Sequence, residues 1–163
     1  MEQIVYSPIG RIRSPFKEIE GSPIQPAGAK GVRGSAEIDP EYVEGLNDLD
    51  GFSHIILLYH FHLSKGFSLT VKPFLDDHSR GLFATRAPRR PNAIGLSVVR
   101  LIGRQDNVLH LEDVDILDGT PLLDIKPYVP EFDVKQAERC GWLADRAGGA
   151  VSKKADTRFA PDE

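Results

Sequence analysis

Short segments in which apolar and polar residues alternate run along most of the chain. The clearest are Val98–Ile102 and Val108–Leu111, and Gln105-Asp106-Asn107 between them is typical of a hairpin turn. Twelve prolines and fifteen glycines separate the segments, which favours a mostly β sandwich or barrel over a helical fold. The predicted strands are Gln3–Tyr6, Ile9–Arg13, Gly34–Ile38, Ser53–His62, Phe67–Val71, Leu82–Thr85, Gly95–Leu101, Val108–Ile116 and Leu122–Ile125.

The predicted strand over Ser53–His62 is apolar on both faces. One face holds His54, Ile56, Leu58, His60 and His62, and the other holds Ser53, Ile55, Leu57, Tyr59 and Phe61. A strand of this kind is normally covered on both sides. We therefore expect it to form a barrel wall that is pressed against a second subunit.

Helical patterns are sparse. Pro40–Leu46 predicts a short helix with Asp39 as its N-cap, and Gln136–Arg146 predicts a longer helix that ends at Gly148-Gly149. We expect a barrel domain over residues 1–135, and a C-terminal helix and tail over residues 136–163 that pack on the barrel or on a partner subunit.

The composition is that of one globular domain. The chain has 163 residues, of which 40% are hydrophobic and 27% charged, which argues against disorder. No apolar run reaches the ~18 residues of a membrane helix, and the first residues do not resemble a signal peptide. Cys140 is the only cysteine, so an intrachain disulfide is excluded and a reducing, cytoplasmic location is expected.

Arginine is concentrated in one segment of a chain whose net charge is −4. Residues 78–105 contain six arginines and no acidic residue. Arginine forks bind phosphates and carboxylates, so the segment is a candidate anion or nucleic-acid surface. Charge alone favours the simpler interpretation that these arginines pair with the acidic segments on either side.

Two histidines suggest a metal site. His60 and His62 share one face of the predicted strand, and two imidazoles so placed can hold a metal ion. The segment after them, Leu63-Ser64-Lys65-Gly66, lacks the glutamate of a cupin metal strand. Hydrogen-bonded histidines near the core are therefore favoured over metal ligands, and we expect no metal.

Two polar connections are the best candidates for a ligand site. The segment from Phe83 to Ser97 contains three arginines, an asparagine and two prolines that stiffen it, and a pre-ordered loop binds a ligand at a lower entropic cost. In the segment from Asp115 to Tyr128, Asp115 and Asp118 flank a turn at Gly119. They either receive ligand hydroxyls and amines, or Asp118 caps the turn and Asp115 stands at the end of a strand.

These segments together resemble the TrmO family, also called TsaA-like, of S-adenosylmethionine-dependent tRNA (adenine-N6)-methyltransferases. The matching residues cover about three quarters of the chain. Two long blocks carry most of the likeness: Phe83-Ala-Thr-Arg-x-Pro-x-Arg-Pro-Asn-x-Ile-Gly-x-Ser97 and Asp115-x-x-Asp-Gly-Thr-Pro-x-x-Asp-Ile-Lys-Pro-Tyr128. The shorter blocks are Ile9-Gly-x-Ile-x-Ser-Pro-Phe16, Gln25-Pro26, Leu49-Asp-Gly-Phe-Ser-His54 and Phe61-His62.

The resemblance implies a small antiparallel β-barrel with few short helices rather than a Rossmann fold, and a homodimer. It implies that the methyl of S-adenosylmethionine goes to the N6 of threonylcarbamoyladenosine, beside the anticodon at position 37 of tRNA. The anticodon stem-loop would then be the partner. Ala27 stands where some members of the family have glycine, and longer bacterial members carry a further C-terminal region. The cofactor contacts implied are Gln25, Pro26, Ala27, Phe61, His62, Arg86, Leu96, Asp115, Ile116, Leu117 and Asp118.

The chemistry of the acceptor adds two hypotheses. The acceptor nitrogen is a poor nucleophile, so a base is useful, and Asp118 and His62 are the candidates. The substrate's threonyl part carries a carboxylate, which Arg89 or Arg90 is predicted to hold. Two other classes stay open, a His-based metal-dependent enzyme and a non-catalytic S-adenosylmethionine- or RNA-binding module.

Overall fold

The computed structural model describes residues 2–160, and most of the regular structure in that range is antiparallel β-sheet. A single α-helical turn, α1, spans Pro130–Asp133. The strands are β1 (Gly10–Arg13), β2 (Arg33–Ile38), β3 (His54–His60), β4 (Thr70–Val71), β5 (Arg80–Gly81), β6 (Ile94–Gln105), β7 (Val108–Glu112) and β8 (Pro121–Pro127).

Six of these strands close into a barrel in the order β1-β2-β7-β6-β3-β8, and β8 returns to pair with β1. Every pair in the ring is antiparallel. The predicted hairpin joins β6 to β7, and Asp106 in its turn has a φ of +53°, a conformation that aspartate tolerates better than most residues. The mostly β, antiparallel barrel expected from the sequence is confirmed.

The core of the barrel follows the period of two in its strands. In β3, Ile55, Leu57 and Tyr59 point inward and are at most 6% exposed. The outward residues Ile56 and Leu58 are half-buried. Nothing in the described chain buries that outer face fully, so its cover by a second subunit stays a prediction.

Several predicted elements are shorter than expected or have another conformation. Pro40–Leu46 is a 3-10 helix, and the side chain of Asp39 makes no capping hydrogen bond. Leu82–Ala84 is a 3-10 turn rather than a strand. Residues 3–6 form no strand, and Ile4 there is 75% exposed.

The helix predicted over Gln136–Arg146 is wrong. That range contains no α-helix and only a 3-10 turn, Gly141–Leu143, and Gly141 takes a φ of +54° that interrupts helical geometry. Packing decides its course, because Trp142 donates from Nε1 to the carbonyl oxygen of Ala84 at 2.7 Å. Tertiary contacts of this kind override weak helix propensity.

Residues 134–160, the C-terminal segment, lie against the loops at one end of the barrel. Ala155 N donates to Ser22 O and Gly21 N donates to Ala155 O, each at 2.8 Å. Arg146 forms an ion pair with Asp76, whose side chain is 1% exposed and also binds Arg80 and His78. Burial raises the pKa of Asp76, but these hydrogen bonds outweigh it and hold that pKa well below its usual range. These contacts anchor the C-terminal segment to the loops of the barrel, and the domain boundary near residue 135 stays a prediction.

The described residues include no helix that is long and apolar enough to cross a membrane.

Candidate active site

A cavity of about 710 Å³ opens at the end of the barrel that the C-terminal segment covers. The end of β3, the start of β6 and the connection from β7 to β8 form its barrel side. The loops around Gln25 and Arg86 and the C-terminal segment form the other walls. Antiparallel strands bring these connections to the same rim, although they are far apart in the sequence.

Asp115 sits at the barrel side of this cavity and ends a chain of hydroxyl groups. Ser97 Oγ lies 2.7 Å from Asp115 Oδ1 and 3.0 Å from Tyr59 Oη. An ionised carboxylate only accepts, so Ser97 donates to Asp115, and Tyr59 then donates to Ser97. The chain fixes the orientation of the carboxylate.

Burial raises the pKa of Asp115 to about 6, against the opposing effects of the hydrogen bond from Ser97 and the charge of Arg86. The group is therefore ionised at neutral pH, and it favours the arrival of a positive charge. It is the only carboxylate among the described residues that line the cavity.

Gly95 makes room for the Tyr59 ring that begins this chain. A Cβ at residue 95 would overlap atoms of that ring. We expect Gly95→Ala to lower the free energy of unfolding by about 1–3 kcal/mol through overpacking, which is a fall in Tm of roughly 2–12 °C. Gly103→Ala in the same strand is the control, because nothing lies within 4 Å of its added Cβ. Equal thermal melting of the two variants would contradict this account of Gly95.

His62 lines the same cavity just beyond the end of β3. Its Nδ1 is 3.3 Å from Thr120 Oγ1, and that hydroxyl gives its own proton to Leu117 O at 2.7 Å. His62 Nδ1 must therefore be the donor in this pair, which leaves Nε2 as the nitrogen able to take a proton. Burial lowers the pKa of His62, with His60 and Arg11 acting in the same direction, so the imidazole is neutral at pH 7.

Two arginines reach the cavity from the loop after Phe83. Arg86 Nη1 donates to Gln25 Oε1 at 2.9 Å, which joins two of the predicted contact residues. Arg90 Nη1 donates to Thr85 O and Ala87 O at 3.0 and 3.3 Å, and so stiffens its own loop.

Arg89 has a different place. It is absent from the cavity lining and donates to Ala160 O in the C-terminal segment.

Asp118 is not brought to the cavity either. Its Oδ2 binds Lys17 Nζ at 2.6 Å and its Oδ1 accepts from Ser14 N at 3.1 Å. The hydrogen bond from Lys17 lowers the pKa of Asp118, which makes it a weaker base. Asp115 and Asp118 thus have different partners, and their spacing in the sequence alone could not separate their roles.

Most of the other predicted contacts converge on the cavity. Pro26 is not among the lining residues and begins the 3-10 helix Pro26–Ala29 beside it. The predicted residues that do line the cavity are Gln25, Ala27, Phe61, His62, Arg86, Arg90, Leu96, Asp115, Ile116 and Leu117.

Among the residues that sequence reasoning missed are Tyr59 and Trp142, which line the cavity, and Ser97, which donates a hydrogen bond to Asp115. Tyr59 follows the same alternation as the core residues of β3, so nothing in the pattern marks it as polar chemistry. Ser97 is the last residue of the matching segment from Phe83 to Ser97, but nothing in the sequence distinguishes it as a functional residue. Trp142 lines the cavity from the C-terminal segment, and the helix predicted there would not have placed it.

The two histidines do not form a metal centre with other ligands. His60 is exposed at the end of β3 and is not part of the cavity lining. Within residues 2–160, no group of three or more His, Cys, Asp or Glu side chains is placed to hold a metal ion.

Much of this chain, including the barrel, is similar to known proteins. Residues 11–134 match the family model described as tRNA-methyltransferase O N-terminal domain. A probable S-adenosyl-L-methionine-binding protein of Pyrococcus abyssi is 56% identical over 156 residues, which cover 96% of this chain and 85% of that protein. The human protein named tRNA (adenine(37)-N6)-methyltransferase is 36% identical over 142 residues, 82% of this chain and 32% of that protein.

A solved structure has the same fold. The crystal structure of TrmO from Pseudomonas aeruginosa superposes with a TM-score of 0.72 at 45% identity over 86% of this chain. The match spans 63% of that chain, so the present chain corresponds to less than two thirds of its length.

Proposed function

Because the chain belongs to the tRNA-methyltransferase O N-terminal domain family, we propose that it transfers a methyl group from S-adenosylmethionine to the N6 nitrogen of an adenosine in tRNA. The observation that carries the proposal is the convergence of separate blocks. Gln25, His62, Arg86 and Asp115 come from four distant parts of the sequence and line one cavity. Its volume of about 710 Å³ is typical of a small-molecule site.

The lining suits the methyl donor chemically. S-adenosylmethionine supplies an electrophilic methyl group on a positively charged sulfur, together with an adenosine and an amino-acid end. Asp115 offers a fixed negative charge, and Phe61 and Leu117 offer apolar surface for a purine. The amide of Gln25, held by Arg86, offers polar atoms at the opposite wall. We assign the donor to these residues.

The acceptor proton goes to His62 in this proposal. The lone pair of the N6 nitrogen is delocalised into the purine and, in the threonylcarbamoyl form, also into a carbonyl group. The nitrogen is therefore a poor nucleophile, and removal of its proton aids the reaction. His62 is neutral and its Nε2 accepts the proton from N6, while Thr120 holds Nδ1 and the tautomer. Asp118 is set aside as a base, since Lys17 occupies its carboxylate.

The specific substrate in this proposal is threonylcarbamoyladenosine at position 37 of tRNA. The anticodon loop is single-stranded, so a base can leave the stack without breaking a duplex. Arg90 is the arginine suited to the threonyl carboxylate, because it lines the cavity and Arg89 does not. Arg90 Nη1 binds its own loop, and Nη2 and Nε are the atoms assigned to that carboxylate.

Methyl transfer from labelled S-adenosylmethionine to bulk tRNA tests the proposed reaction. We expect label in tRNA that depends on the protein and survives metal chelation. Binding of the donor with no transfer to any tRNA would support a non-catalytic binding module instead. Loss of transfer with a chelator, restored by added metal, would support a metal-dependent enzyme.

A homodimer fits the outer face of β3 and β6. Ile56 stands opposite Val98, and Leu58 stands opposite Leu96, which is 51% exposed. Apolar pairs in a row on an outer barrel face favour burial against another surface. Since tRNA is cytoplasmic, we also place the protein in the cytoplasm.

Light scattering tests the dimer. We expect the wild-type protein to have twice the chain mass of 18.0 kDa, and Leu58→Asp to shift it to one chain mass by placing a charge on the outer face. A wild-type protein of one chain mass at assay concentration would contradict the dimer. Thermal melting of the variant establishes that it is folded.

A further inference from the structure

Phe83 is a large apolar side chain that the fold leaves in water. Its exposed fraction is 75%, the highest among the exposed phenylalanines of the described chain. It stands on the 3-10 turn Leu82–Ala84, between Leu82, which is 1% exposed, and Ala84. Its cover by a partner would be favourable, because burial of an aromatic ring removes a large apolar area from water.

The turn that carries Phe83 is held from several sides. Thr85 Oγ1 and Thr85 N both donate to Leu82 O, at 2.7 and 3.0 Å. Ala84 O accepts from Trp142 at 2.7 Å. The ring is therefore presented on a fixed backbone, which lowers the entropic cost of binding a partner there.

A cation backs the ring and connects it to the cavity. The Arg90 guanidinium lies 5.7 Å from the centroid of the Phe83 ring, a cation–π distance. Arg90 also lines the cavity, and so do Thr85 and Arg86, the next residues after the turn. A flat ring with a positive charge beside it, at the rim of the cavity, matches the usual platform for a single-stranded base.

We propose that Phe83 stacks on the base next to the reacting adenosine in the RNA. The inference rests on the proposed function and adds the residue that receives a neighbouring nucleotide. Stacking is tolerant of sequence because every base has a π-face. Phe83 thus contributes affinity for RNA and leaves the methyl donor's own contacts unchanged.

The test is equilibrium binding of a threonylcarbamoyl-modified anticodon stem-loop RNA, measured by fluorescence anisotropy without a methyl donor. The variants are Phe83→Ala, Phe83→Trp and Phe83→Leu. Phe132→Ala is the matched control, since Phe132 is 72% exposed on α1 and does not line the cavity. Affinity for S-adenosylmethionine, thermal melting and methyl-transfer kinetics are measured on each.

We expect Phe83→Ala to weaken RNA binding roughly tenfold, within a range of about 5- to 150-fold. KM for RNA rises accordingly, and kcat and donor affinity stay within about twofold. Phe83→Trp restores binding, Phe83→Leu does not, and Phe132→Ala matches the wild-type protein.

Wild-type affinity in Phe83→Ala, or full rescue by leucine, would overturn the stacking role. A loss of donor affinity as large as the loss of RNA affinity, or a clear fall in melting temperature, would also overturn it. Phe83 would then be a residue that supports the fold. These outcomes are separate from failure of the proposed function. RNA binding without methyl transfer in the wild-type protein would reject the reaction, whereas normal transfer by Phe83→Ala at wild-type KM would reject only this inference.

Discussion

Replacing His62 by alanine is expected to slow methyl transfer by about 100- to 10,000-fold at saturating donor and tRNA, the usual contribution of a positioned base. The reason is that His62 Nε2 takes the acceptor proton, while Thr120 holds Nδ1. Single-turnover rates measure the effect directly. In the wild-type protein the rate rises with pH until His62 is deprotonated and is then flat. Because the pKa of His62 is lowered, the plateau begins at a lower pH than it would for an ordinary histidine.

The control for this prediction is His60→Ala. His60 is exposed, lies outside the cavity lining and precedes His62 by two residues. We expect nearly wild-type transfer from it. Equal loss in both variants would point to a shared metal, and a His62→Ala enzyme within threefold of the wild-type rate would remove the base from the mechanism.

Replacing Asp115 by asparagine is expected to weaken donor binding by about 10- to 150-fold, the value of a hydrogen bond to a charged group. Asparagine keeps the shape and an oxygen for Ser97, so the loss reports the charge. The donor is a cation, so its binding strengthens as Asp115 ionises. Since the pKa of Asp115 is about 6, wild-type affinity should rise between pH 5 and 7, and the variant should show a much smaller rise, from His62 alone.

Calorimetric titration of S-adenosylmethionine at several pH values measures this. Asp124→Asn is the matched control, because it removes a carboxylate on β8 whose ion pair with Lys126 is exposed. An equally steep pH dependence in Asp115→Asn would assign the titration to another group. Unchanged affinity at pH 7 would remove Asp115 from the donor site.

The period of two in the strands predicts a mostly β sandwich or barrel, and the resemblance to a family narrows this to a barrel. Leu109 and Leu111 alternate inward on β7, and Asp106 marks the turn before them. The resemblance to a family predicts nine of the residues that line the cavity, among them His62, Arg86 and Asp115. Without the resemblance, the alternation of apolar and polar residues predicts a β-rich domain and assigns no chemistry to it.

Other features depend on contacts that no local pattern records. Asp115 and Asp118 look equivalent in the sequence, and only the partners Ser97 and Lys17 separate their roles. The C-terminal segment resembles a helix in composition, but Trp142 and Arg146 dock against the loops and fix another course. These contacts bridge many residues in the chain, and so they appear only once the barrel has closed.

Nucleoside mass spectrometry of two tRNA pools tests the central claim most directly. One pool carries threonylcarbamoyladenosine and the other lacks it, and both are incubated with the protein and S-adenosylmethionine. The account predicts a gain of one methyl group, confined to the threonylcarbamoyladenosine of the first pool. Methylation of unmodified adenosine to the same extent would contradict the assigned substrate, and no methyl gain in either pool with folded protein would contradict the assigned reaction.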